Sequence, residues 1–356
     1  MHKIITIVGA RPQFVKAATL SRQFVKYGVN EMILHTGQHF DSNMSKVFFE
    51  EMEIPEPAFH LDIHGLSHGA MTGRMLEGIE KILIVENPDG VLVYGDTNST
   101  LAGALAASKL HIPVIHVEAG LRSFNMEMPE EVNRILTDRI SSFLFCPTDT
   151  AVNNLKKEGF DQMPLQIIKN GDAMQDAAIY YAAKAGLKSD IIRELKLQQF
   201  VLATLHRQEN TDDPAKLMAI VSGLNTLNKQ VQVVVPLHPR TRQILQQLSI
   251  NTEFTIIEPV GYFDMIMLLK SCELVVTDSG GVQKEAFFFG KHCITLREQT
   301  EWVELVNHGF NRLVGSDAEK LKEAFDFFIT KKSDFSLDLY GKGKAAEIAA
   351  KIIEKI

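Results

Sequence analysis

The sequence has few cysteines and no apolar segment long enough to span a membrane. Its three cysteines, Cys146, Cys272 and Cys293, are scattered and form no CxxC pair, so the sequence predicts neither a disulfide framework nor a cysteine-based metal site. No apolar run approaches the roughly 18 to 20 residues that a spanning helix requires. The apolar stretch at 4–8 is too short for a signal peptide and is typical of a first core strand. We therefore expect a cytoplasmic protein without a membrane partner.

An excess of positive charge is also missing. Lys and Arg number 37 against 44 Asp and Glu, which gives a net charge of −7, and no basic block occurs. A nucleic acid is therefore not an expected partner. With 23 Gly and 12 Pro, the chain is neither collagen-like nor of low complexity. Its 45% hydrophobic and 23% charged residues are typical of a soluble globular protein, and 356 residues suffice for two domains.

Short apolar runs alternate with longer segments of helical period, a pattern typical of parallel α/β units. The runs are apolar almost throughout, as expected for strands that are covered on both faces. We predict two doubly wound, Rossmann-like domains, with their ligand in a cleft at the carboxyl ends of the strands. The predicted strands are 3–8, 31–35, 90–94, 113–117 and 143–146, then 200–205, 230–235, 254–257, 273–277 and 292–296.

A more polar segment at 170–196 is the predicted linker between the halves. The predicted domains are 1–172 and 173–340. The last predicted element, 341–356, is a C-terminal helix that packs back toward the first domain, and its apolar positions support a helix at 344–355. Two further helices are predicted at 71–85 and 100–110.

The first predicted strand runs into Gly9-Ala10-Arg11-Pro12, with Lys16 a little further on. A glycine turn that opens a helix and carries two cations suits an anionic ligand, although an ordinary strand–helix turn with solvated cations has the same composition. The GxGxxG fingerprint is absent from the sequence, which argues against a bound dinucleotide.

Three carboxylates follow predicted strands or open a helix in the first half. Asp96 follows the strand 90–94, Glu118 follows 113–117, and Glu131 lies in the first turn of a helix that begins at Pro129. Each has a structural alternative: Asp96 could cap a helix, Arg122 could be the ion-pair partner of Glu118, and acidic residues favour a helix N-terminus. Together they are a candidate acid–base group, because opposed proton transfers need more than one acid or base.

Thr97, Asn98 and Ser99 follow Asp96 and are spare candidates for the helix cap. The capping alternative for Asp96 is therefore the weaker one.

Histidines and arginines follow two predicted strands in the second half. His206-Arg207 and His238-Pro239-Arg240 are typical of a group that clamps a diphosphate. Zinc is not predicted, since the chain contains no HExxH motif and no Cys/His pairs.

The most specific local pattern is Thr277-Asp278-Ser279-Gly280-Gly281, followed by a helix that contains Glu285. Ser279 and the two glycine amides would meet a phosphate at the helix N-terminus, and Glu285 could accept hydrogen bonds from ribose hydroxyls. The alternative is a glycine-rich turn with a surface glutamate.

In combination, these motifs resemble the non-hydrolysing UDP-N-acetylglucosamine 2-epimerases, which have the glycosyltransferase-B fold of two Rossmann-like domains. The resemblance covers nearly the whole chain. Its motifs are GARPQFVK at 9–16, TGQHF at 36–40, GDTNST at 95–100, HVEAGLR at 116–122, MPEEVNR at 128–134, TLHRQEN at 204–210, LHPR at 237–240 and TDSGGVQKEA at 277–286.

The resemblance implies roles for individual residues. Asp96, Glu118 and Glu131 resemble the family's catalytic carboxylates, and His206 resembles its catalytic histidine. Substrate contacts are implied for Arg11 and Lys16 near the diphosphate, His238, Ser279, Gly280 and Gly281 at the UDP phosphates, Glu285 at the ribose, and Pro259, Tyr262 and Phe263 in the loop that holds uracil.

The resemblance also implies the reaction. A base removes the C2 proton of a UDP-2-acetamido sugar, UDP leaves, and a 2-acetamidoglucal forms, to which UDP and a proton add back with C2 inverted. This chemistry needs no cofactor and no metal, and the family implies a homodimer. Which carboxylate is the base and which is the acid is left open.

Some positions depart from the common family pattern. Lys284 replaces an acid of the usual QEEA, and Trp302 replaces the Arg of the usual TERPE. Asp41 and Gln208 also depart from the common family pattern. Several members are activated by UDP-N-acetylglucosamine, and these two departures leave that regulation open for this chain.

Four local segments are most similar in sequence to the branch that epimerises UDP-2,3-diacetamido-2,3-dideoxyglucuronate for surface polysaccharide such as lipopolysaccharide O-antigen. They are GQHFDSNMS, LDIHG, HGAMTGRML and QTEWVELV. We expect that sugar to be the better substrate. Alternatives are a UDP-N-acetylglucosamine 2-epimerase, a hydrolysing epimerase or glycosyltransferase of the same fold, and a non-catalytic nucleotide-sugar sensor.

Overall fold

The computed structural model describes residues 2–38, 49 and 52–356. The chain divides into two compact units, one formed by Met1–Ala177 with Asp338–Ile356 and the other by Ala178–Leu337. The division falls inside the helix Ala173–Lys188, within the segment 170–196 that was predicted as the linker. This helix buries Ala177, Ala178 and Tyr181. The predicted domain bounds 1–172, 173–340 and 341–356 stay a prediction.

The first unit is built on a seven-stranded parallel sheet in the order β3-β2-β1-β4-β5-β6-β7. Its central strands are fully buried, with Ile5, Ile7, Val91 and Val93 inaccessible to solvent. This explains their continuous apolar composition. The strands are β1 Lys3–Val8, β2 Asn30–His35, β3 Phe59–His60, β4 Gly90–Tyr94, β5 Val114–Val117, β6 Phe143–Cys146 and β7 Gln166–Lys169.

The second unit has a six-stranded parallel sheet in the order β10-β9-β8-β11-β12-β13. Its strands are β8 Phe200–Thr204, β9 Gln232–Pro236, β10 Thr255–Ile257, β11 Leu274–Thr277, β12 Cys293–Thr295 and β13 Asn311–Leu313. In both sheets the first strand of the unit lies beside the fourth, which is the Rossmann order. The predicted α/β class of two doubly wound units is confirmed.

Each predicted strand is present, and each end lies within two residues of its predicted position. Three strands were not predicted from the sequence, namely β3, β7 and β13. They lie at sheet edges, where β7 exposes Gln166 and Lys169. Their short, mixed compositions lack the apolar run that identifies a central strand.

Helices cover the sheets and connect the strands. The helix predicted at 71–85 is His68–Glu86, that at 100–110 is Asn98–Lys109, and that at 344–355 is Ala345–Ile353. None of the described helices is long and apolar enough to cross a membrane. The other α-helices are Arg11–Tyr27, Pro129–Arg139, Asp149–Lys157, Ala173–Lys188, Ile191–Glu194, Gln208–Thr211, Pro214–Asn228, Pro239–Gln247, Tyr262–Ser271, Gly280–Phe288, Val303–Asn307 and Ala318–Phe328, with a 3₁₀ turn at Phe160–Gln162.

The C-terminal helix belongs to the first unit. The Tyr27 hydroxyl donates to Glu347 Oε1 at 3.1 Å, and Asp176 accepts hydrogen bonds from the amides of Ala345 and Ala346 at 3.1 and 2.7 Å. Asp176 therefore satisfies amides at the start of this helix that have no partner within the helix itself.

Candidate active site

In each unit, some of the predicted site residues lie at the point where the strand order reverses. In the first unit, the turn after β1 and the turn after β4 lie side by side; in the second, the turns after β8 and β11 do. Ligands of doubly wound sheets bind at this position. The sheet topology therefore brings together residues that are far apart in the sequence.

Asp96 lies in the turn after β4 and is held by two residues of the helix Pro129–Arg139. Its carboxylate forms an ion pair with the Arg134 guanidinium, and its carbonyl accepts a hydrogen bond from Asn133 Nδ2 at 2.9 Å. The N-cap of the helix Asn98–Lys109 is Thr97, whose hydroxyl accepts from the Thr100 amide. The capping alternative for Asp96 is therefore wrong, and its side chain remains 30% exposed.

Glu118 follows β5 and adopts a left-handed backbone conformation with φ of 73°. This region is unfavourable for a non-glycine residue and costs on the order of 1 to 3 kcal/mol. The amides of Glu118 and Ala119 both donate to the Phe145 carbonyl at 3.0 Å, which holds the conformation. Strain that the surrounding structure maintains in this way is typical of functional positions.

The ion-pair partner of Glu118 is Lys16. The structural alternative from the sequence, in which Arg122 pairs with Glu118, is therefore wrong. The Lys16 ammonium contacts Glu118 Oε2, and both side chains are largely buried. Arg122 instead forms a bidentate ion pair with Glu158, in which Nε and Nη2 each donate to one carboxylate oxygen at 2.8 Å. Its Nη1 donates to Asp138 Oδ2 at 2.7 Å. The charge of Glu118 is thus balanced by a residue that we predicted to bind diphosphate.

Glu131 is inaccessible to solvent and is surrounded by donors. It accepts hydrogen bonds from the Ser123 amide and hydroxyl at 2.9 and 3.0 Å and from the Phe124 amide at 2.9 Å. Arg134 Nη1 lies 3.0 Å from Glu131 Oε2. Because Arg134 also pairs with Asp96, one buried guanidinium joins two of the three predicted carboxylates. Sequence reasoning missed Arg134, although it lies three residues after Glu131.

The glycine turn after β1 does not offer its first amides to an anion. The amides of Gly9 and Ala10 donate to Gln13 Oε1 at 2.8 and 3.0 Å, and Gln13 Nε2 donates to the Tyr94 carbonyl at 2.9 Å. A Cβ atom on Gly9 would overlap the hydroxyls of Thr36 and Ser99, which explains the glycine. Gln13 therefore occupies these two amides, while Arg11 is partly exposed at the start of the helix. That this turn and its two cations bind an anionic ligand stays a prediction.

In the second unit, His206 and the buried Asp278 form a pair across the neighbouring strands β8 and β11. His206 Nδ1 lies 3.2 Å from Asp278 Oδ1, and the amides of His206 and Arg207 each donate to Asp278 Oδ2 at 2.9 Å. Burial alone would raise the pKa of Asp278, but its hydrogen bonds with the side chain and backbone of His206 lower that pKa overall. An ionised Asp278 therefore orients the His206 ring, whose side chain is 50% exposed.

Asp278 was not among the predicted site residues. It stands inside the TDSGG motif, where sequence reasoning assigned only the serine and glycines. Its role depends on the pairing of Thr204 with Thr277 across β8 and β11. An aspartate that directly follows a buried strand is the signal that could have identified it.

The turn after β11 contains the predicted phosphate contacts. Ser279 is the N-cap of the helix Gly280–Phe288, and its hydroxyl makes no capping hydrogen bond within the described part of the chain. A Cβ atom on Gly280 would overlap Glu301 Oε1, so a larger residue there would require the Glu301 side chain to move. Ser279, Gly280 and Gly281 are all partly exposed, whereas Glu285 is 5% exposed.

Lys284 and Trp302, two of the departures from the family pattern, contact each other. The Lys284 ammonium lies 3.8 Å from the centre of the Trp302 ring, and the residues are 1% and 2% exposed. Lys284 therefore does not face solvent, and the two residues form a buried cation–π pair.

The remaining predicted substrate contacts are His238 and the segment 259–263. His238 is exposed and caps the helix Pro239–Gln247, with its Nδ1 accepting from the Arg240 amide at 3.2 Å. Tyr262 and Phe263 are buried, and their rings pack 5.8 and 6.0 Å from that of Tyr181. In the segment 259–263, Pro259 and the backbone are thus better placed for a ligand than these two rings.

Of the positions noted for regulation, Gln208 begins the helix Gln208–Thr211. Asp41 lies outside the described residues, as do the last two residues of the TGQHF motif.

Comparison with known proteins identifies relatives along the full chain. A family model described as UDP-N-acetylglucosamine 2-epimerase matches residues 25–354. UDP-2,3-diacetamido-2,3-dideoxy-D-glucuronate 2-epimerase of Pseudomonas aeruginosa is 54% identical, over 99% of this chain and 100% of that protein. UDP-N-acetylglucosamine 2-epimerase of Methanocaldococcus jannaschii is 43% identical, over 99% of this chain and 98% of that protein.

Two solved structures show the same fold. The crystal structure of the M. jannaschii enzyme in complex with UDP-GlcNAc and UDP superposes with a TM-score of 0.93 at 43% identity, covering 99% of this chain and 100% of that one. The Neisseria meningitidis UDP-GlcNAc 2-epimerase bound to UDP-GlcNAc has a TM-score of 0.87 at 30% identity, again covering 99% and 100%. The family resemblance read from the motifs is thereby confirmed.

Proposed function

Because the chain belongs to the UDP-N-acetylglucosamine 2-epimerase family, we propose that it inverts C2 of a UDP-2-acetamido sugar by elimination and re-addition of UDP. The observation that carries this proposal is the strained, buried Glu118 paired with Lys16, beside an Asp96 paired with Arg134. Two carboxylates with separate cationic partners suit a reaction in which a proton leaves one face of C2 and another returns to the opposite face.

The chemistry of the substrate explains why more than one group is needed. The C2 hydrogen of a 2-acetamido sugar is not acidic by itself, so its removal accompanies breakage of the C1–O bond. A carboxylate takes the proton, the electron pair forms the C1–C2 double bond of a 2-acetamidoglucal, and UDP leaves with the electrons of the C1–O bond. In the reverse direction UDP attacks C1 while an acid protonates C2. Asp96 and Glu118 are the proposed exchange groups, and Glu131 positions Arg134 beside Asp96.

The second unit provides the proposed groups for UDP. His206, oriented by Asp278, is the proposed group that stabilises the departing diphosphate or protonates it. The partly exposed Ser279 hydroxyl and the amides of Gly280 and Gly281 are the proposed phosphate donors. The ribose is assigned to Glu285, a further phosphate contact to His238, and uracil to the segment 259–263. This reaction involves no cofactor or metal.

For the substrate, we propose UDP-2,3-diacetamido-2,3-dideoxyglucuronate in preference to UDP-N-acetylglucosamine. The 54% identity to the P. aeruginosa enzyme of that name supports this choice. The buried Lys284–Trp302 pair beside the phosphate-binding turn adds support, because it changes charge and shape near the bound sugar nucleotide. A role in surface polysaccharide synthesis follows from this substrate. We also propose a cytoplasmic homodimer without nucleic acid or membrane partners.

The test is a side-by-side measurement of epimerisation with both UDP-sugars. We expect at least a tenfold higher kcat/KM for the diacetamido glucuronate, which corresponds to about 1.4 kcal/mol and is within reach of one desolvated contact. Faster epimerisation of UDP-N-acetylglucosamine without added activator would contradict this substrate assignment.

NMR spectra of the product in deuterated water test the reaction class. Elimination and re-addition put deuterium at C2 of a sugar that is still attached to UDP. Free sugar would indicate a hydrolysing epimerase, transfer to an acceptor would indicate a glycosyltransferase, and an unchanged C2 would indicate a non-catalytic sensor.

A further inference from the structure

His116 lies in the middle of β5, is inaccessible to solvent, and is bonded at both ring nitrogens. Its Nδ1 is 2.7 Å from Asp138 Oδ1, and its Nε2 is 2.7 Å from the carbonyl oxygen of Gly95. Gly95 directly precedes Asp96, so the ring reaches from its own strand to the backbone of the turn that carries a proposed exchange group.

The partners of His116 determine its protonation state. The Gly95 carbonyl can only accept, so Nε2 carries a proton. Asp138 Oδ2 accepts from Arg122 Nη1 at 2.7 Å and from the Gly120 amide at 3.1 Å. Burial alone would raise the pKa of Asp138, but its hydrogen bond and ion pair with His116, together with Arg122, lower it overall. Asp138 Oδ1 faces Nδ1 of the ring, so His116 links the Asp138 carboxyl group to the Gly95 carbonyl.

Each oxygen of the buried Asp138 carboxyl group has a partner. Oδ1 contacts His116 Nδ1 and Oδ2 contacts Arg122 Nη1, while Arg122 also pairs with Glu158, whose side chain is 33% exposed. This pairing avoids the large cost of an unpaired buried charge. Removal of the ring would leave both Asp138 Oδ1 and the buried Gly95 carbonyl without this partner.

The same network contacts each segment that carries a proposed carboxylate. The turn of Asp96 is held through the Gly95 carbonyl, the segment after Glu118 through the Gly120 amide, and the helix of Glu131 through Asp138 itself. A Cβ atom on Gly95 would lie 3.4 Å from Lys16 Nζ and 3.9 Å from Glu118 Oε2. The Gly95 backbone thus also adjoins the Lys16–Glu118 pair.

We infer that His116 is a positioning residue for the epimerase reaction, which fixes the Asp96 turn through its bond to the Gly95 carbonyl while Asp138 orients its ring. This inference rests on the proposed function, because it assigns His116 to that reaction. His116 itself does not touch the substrate; it acts through the backbone on which Asp96 and the Lys16–Glu118 pair depend.

Two substitutions of His116 test the two hydrogen bonds of its ring separately. In His116→Asn the amide nitrogen takes the place of Nδ1, so the bond to Asp138 is kept and the bond to Gly95 is lost. In His116→Gln the amide nitrogen takes the place of Nε2, so the bond to Gly95 is kept. We expect His116→Asn to lower kcat at least about 30-fold with KM changed less than threefold, since the UDP contacts lie elsewhere. His116→Gln should restore kcat to within about fivefold of the wild type.

A kcat for His116→Asn within threefold of the wild type overturns the inference. Equal losses in both variants also overturn it, because they would reflect general damage to the core. The wild-type rate is measured first, so that a chain that epimerises no UDP-sugar counts against the proposed function alone.

The protonation of the His116 ring nitrogens can also be measured directly, in wild-type protein and without an activity assay. In ¹⁵N spectra of uniformly ¹³C,¹⁵N-labelled wild-type protein at pH 7.5, we expect Nε2 of His116 to be protonated, because the Gly95 carbonyl can only accept, with the ring signals assigned through the backbone of residues 115–117. An unprotonated Nε2 would overturn the bridging arrangement even if the kinetic variants fail to fold.

Discussion

The Lys16 ammonium contacts the Glu118 carboxylate at the carboxyl ends of β1 and β5. Both residues were predicted to act on the substrate, one on the diphosphate and one at C2. Their contact means that neither acts alone: removal of either leaves a largely buried charge without its partner.

The first prediction concerns Glu118 itself. Glu118→Gln keeps the size of the side chain and removes its titrating group, so kcat should fall by about 10² or more. UDP affinity should change less than kcat, because most of the proposed UDP contacts lie in the other unit and only Arg11 and Lys16 belong to this one. Steady-state rates and UDP titration calorimetry measure the two effects. Full activity in this variant would return Glu118 to a purely structural role.

Glu131 and Glu130 form a matched pair in the first turn of one helix. Glu131 is buried among donors, whereas Glu130 is exposed. In Glu131→Gln an amide NH₂ faces donors, so we expect both a loss of activity and a loss of roughly 1 to 3 kcal/mol of unfolding free energy. Glu130→Gln should leave kcat and the unfolding midpoint unchanged. Denaturant titrations of both variants measure this, and equal midpoints would contradict the assigned contacts of Glu131.

Asp278 should act on catalysis through His206. Asp278→Asn and His206→Asn should each lower kcat by about 10-fold or more, and the double variant should lose little beyond the worse single variant. Residues that act as a unit give such non-additive losses. A double-mutant cycle on kcat makes the measurement. Losses that multiply in the double variant would show that the two residues act independently.

Glu31 predicts a pH dependence of stability. Burial raises the pKa of Glu31 from 4.5 to about 7, despite hydrogen bonds from Ser21 and Thr6 that lower it. Because the folded-state pKa lies above the unfolded value, the contribution of Glu31 to the unfolding free energy is fully present below about pH 4.5. That contribution is lost as the pH rises through 7. Glu31→Gln removes the charge and should raise the unfolding free energy at pH 8 by roughly 1 to 3 kcal/mol.

Thermal melts of Glu31→Gln at pH 5 and pH 8 measure this effect. The variant should gain more over the wild type at pH 8 than at pH 5. Exposed Glu56 is the control, since Glu56→Gln should show no difference between the two pH values. An equal shift at both pH values for Glu31→Gln would contradict the prediction.

The sequence predicted the strands well, because buried parallel strands have an apolar composition that ends abruptly in polar residues. Asp96, Glu118 and His206 were chosen as candidates at these strand ends. Their partners were not predicted, because the contacts form only after folding: Lys16 reaches Glu118 from the helix after β1, although β4 lies between β1 and β5, and Asp278 lies beside His206 at the ends of the adjacent β8 and β11. Side-chain competition was not predicted either, as in Gln13, whose amide oxygen accepts from the amides of Gly9 and Ala10.

The C-terminal helix has a consequence for the order in which the molecule is made. Its Ala345, Ala349 and Ile353 are fully buried in the first unit, and Asp176 holds its first amides. A ribosome builds the chain from the N-terminus, so residues 338–356 emerge only after the entire second unit. The unit that is begun first is therefore completed last, and until then its incomplete core exposes apolar surface of the kind that promotes aggregation.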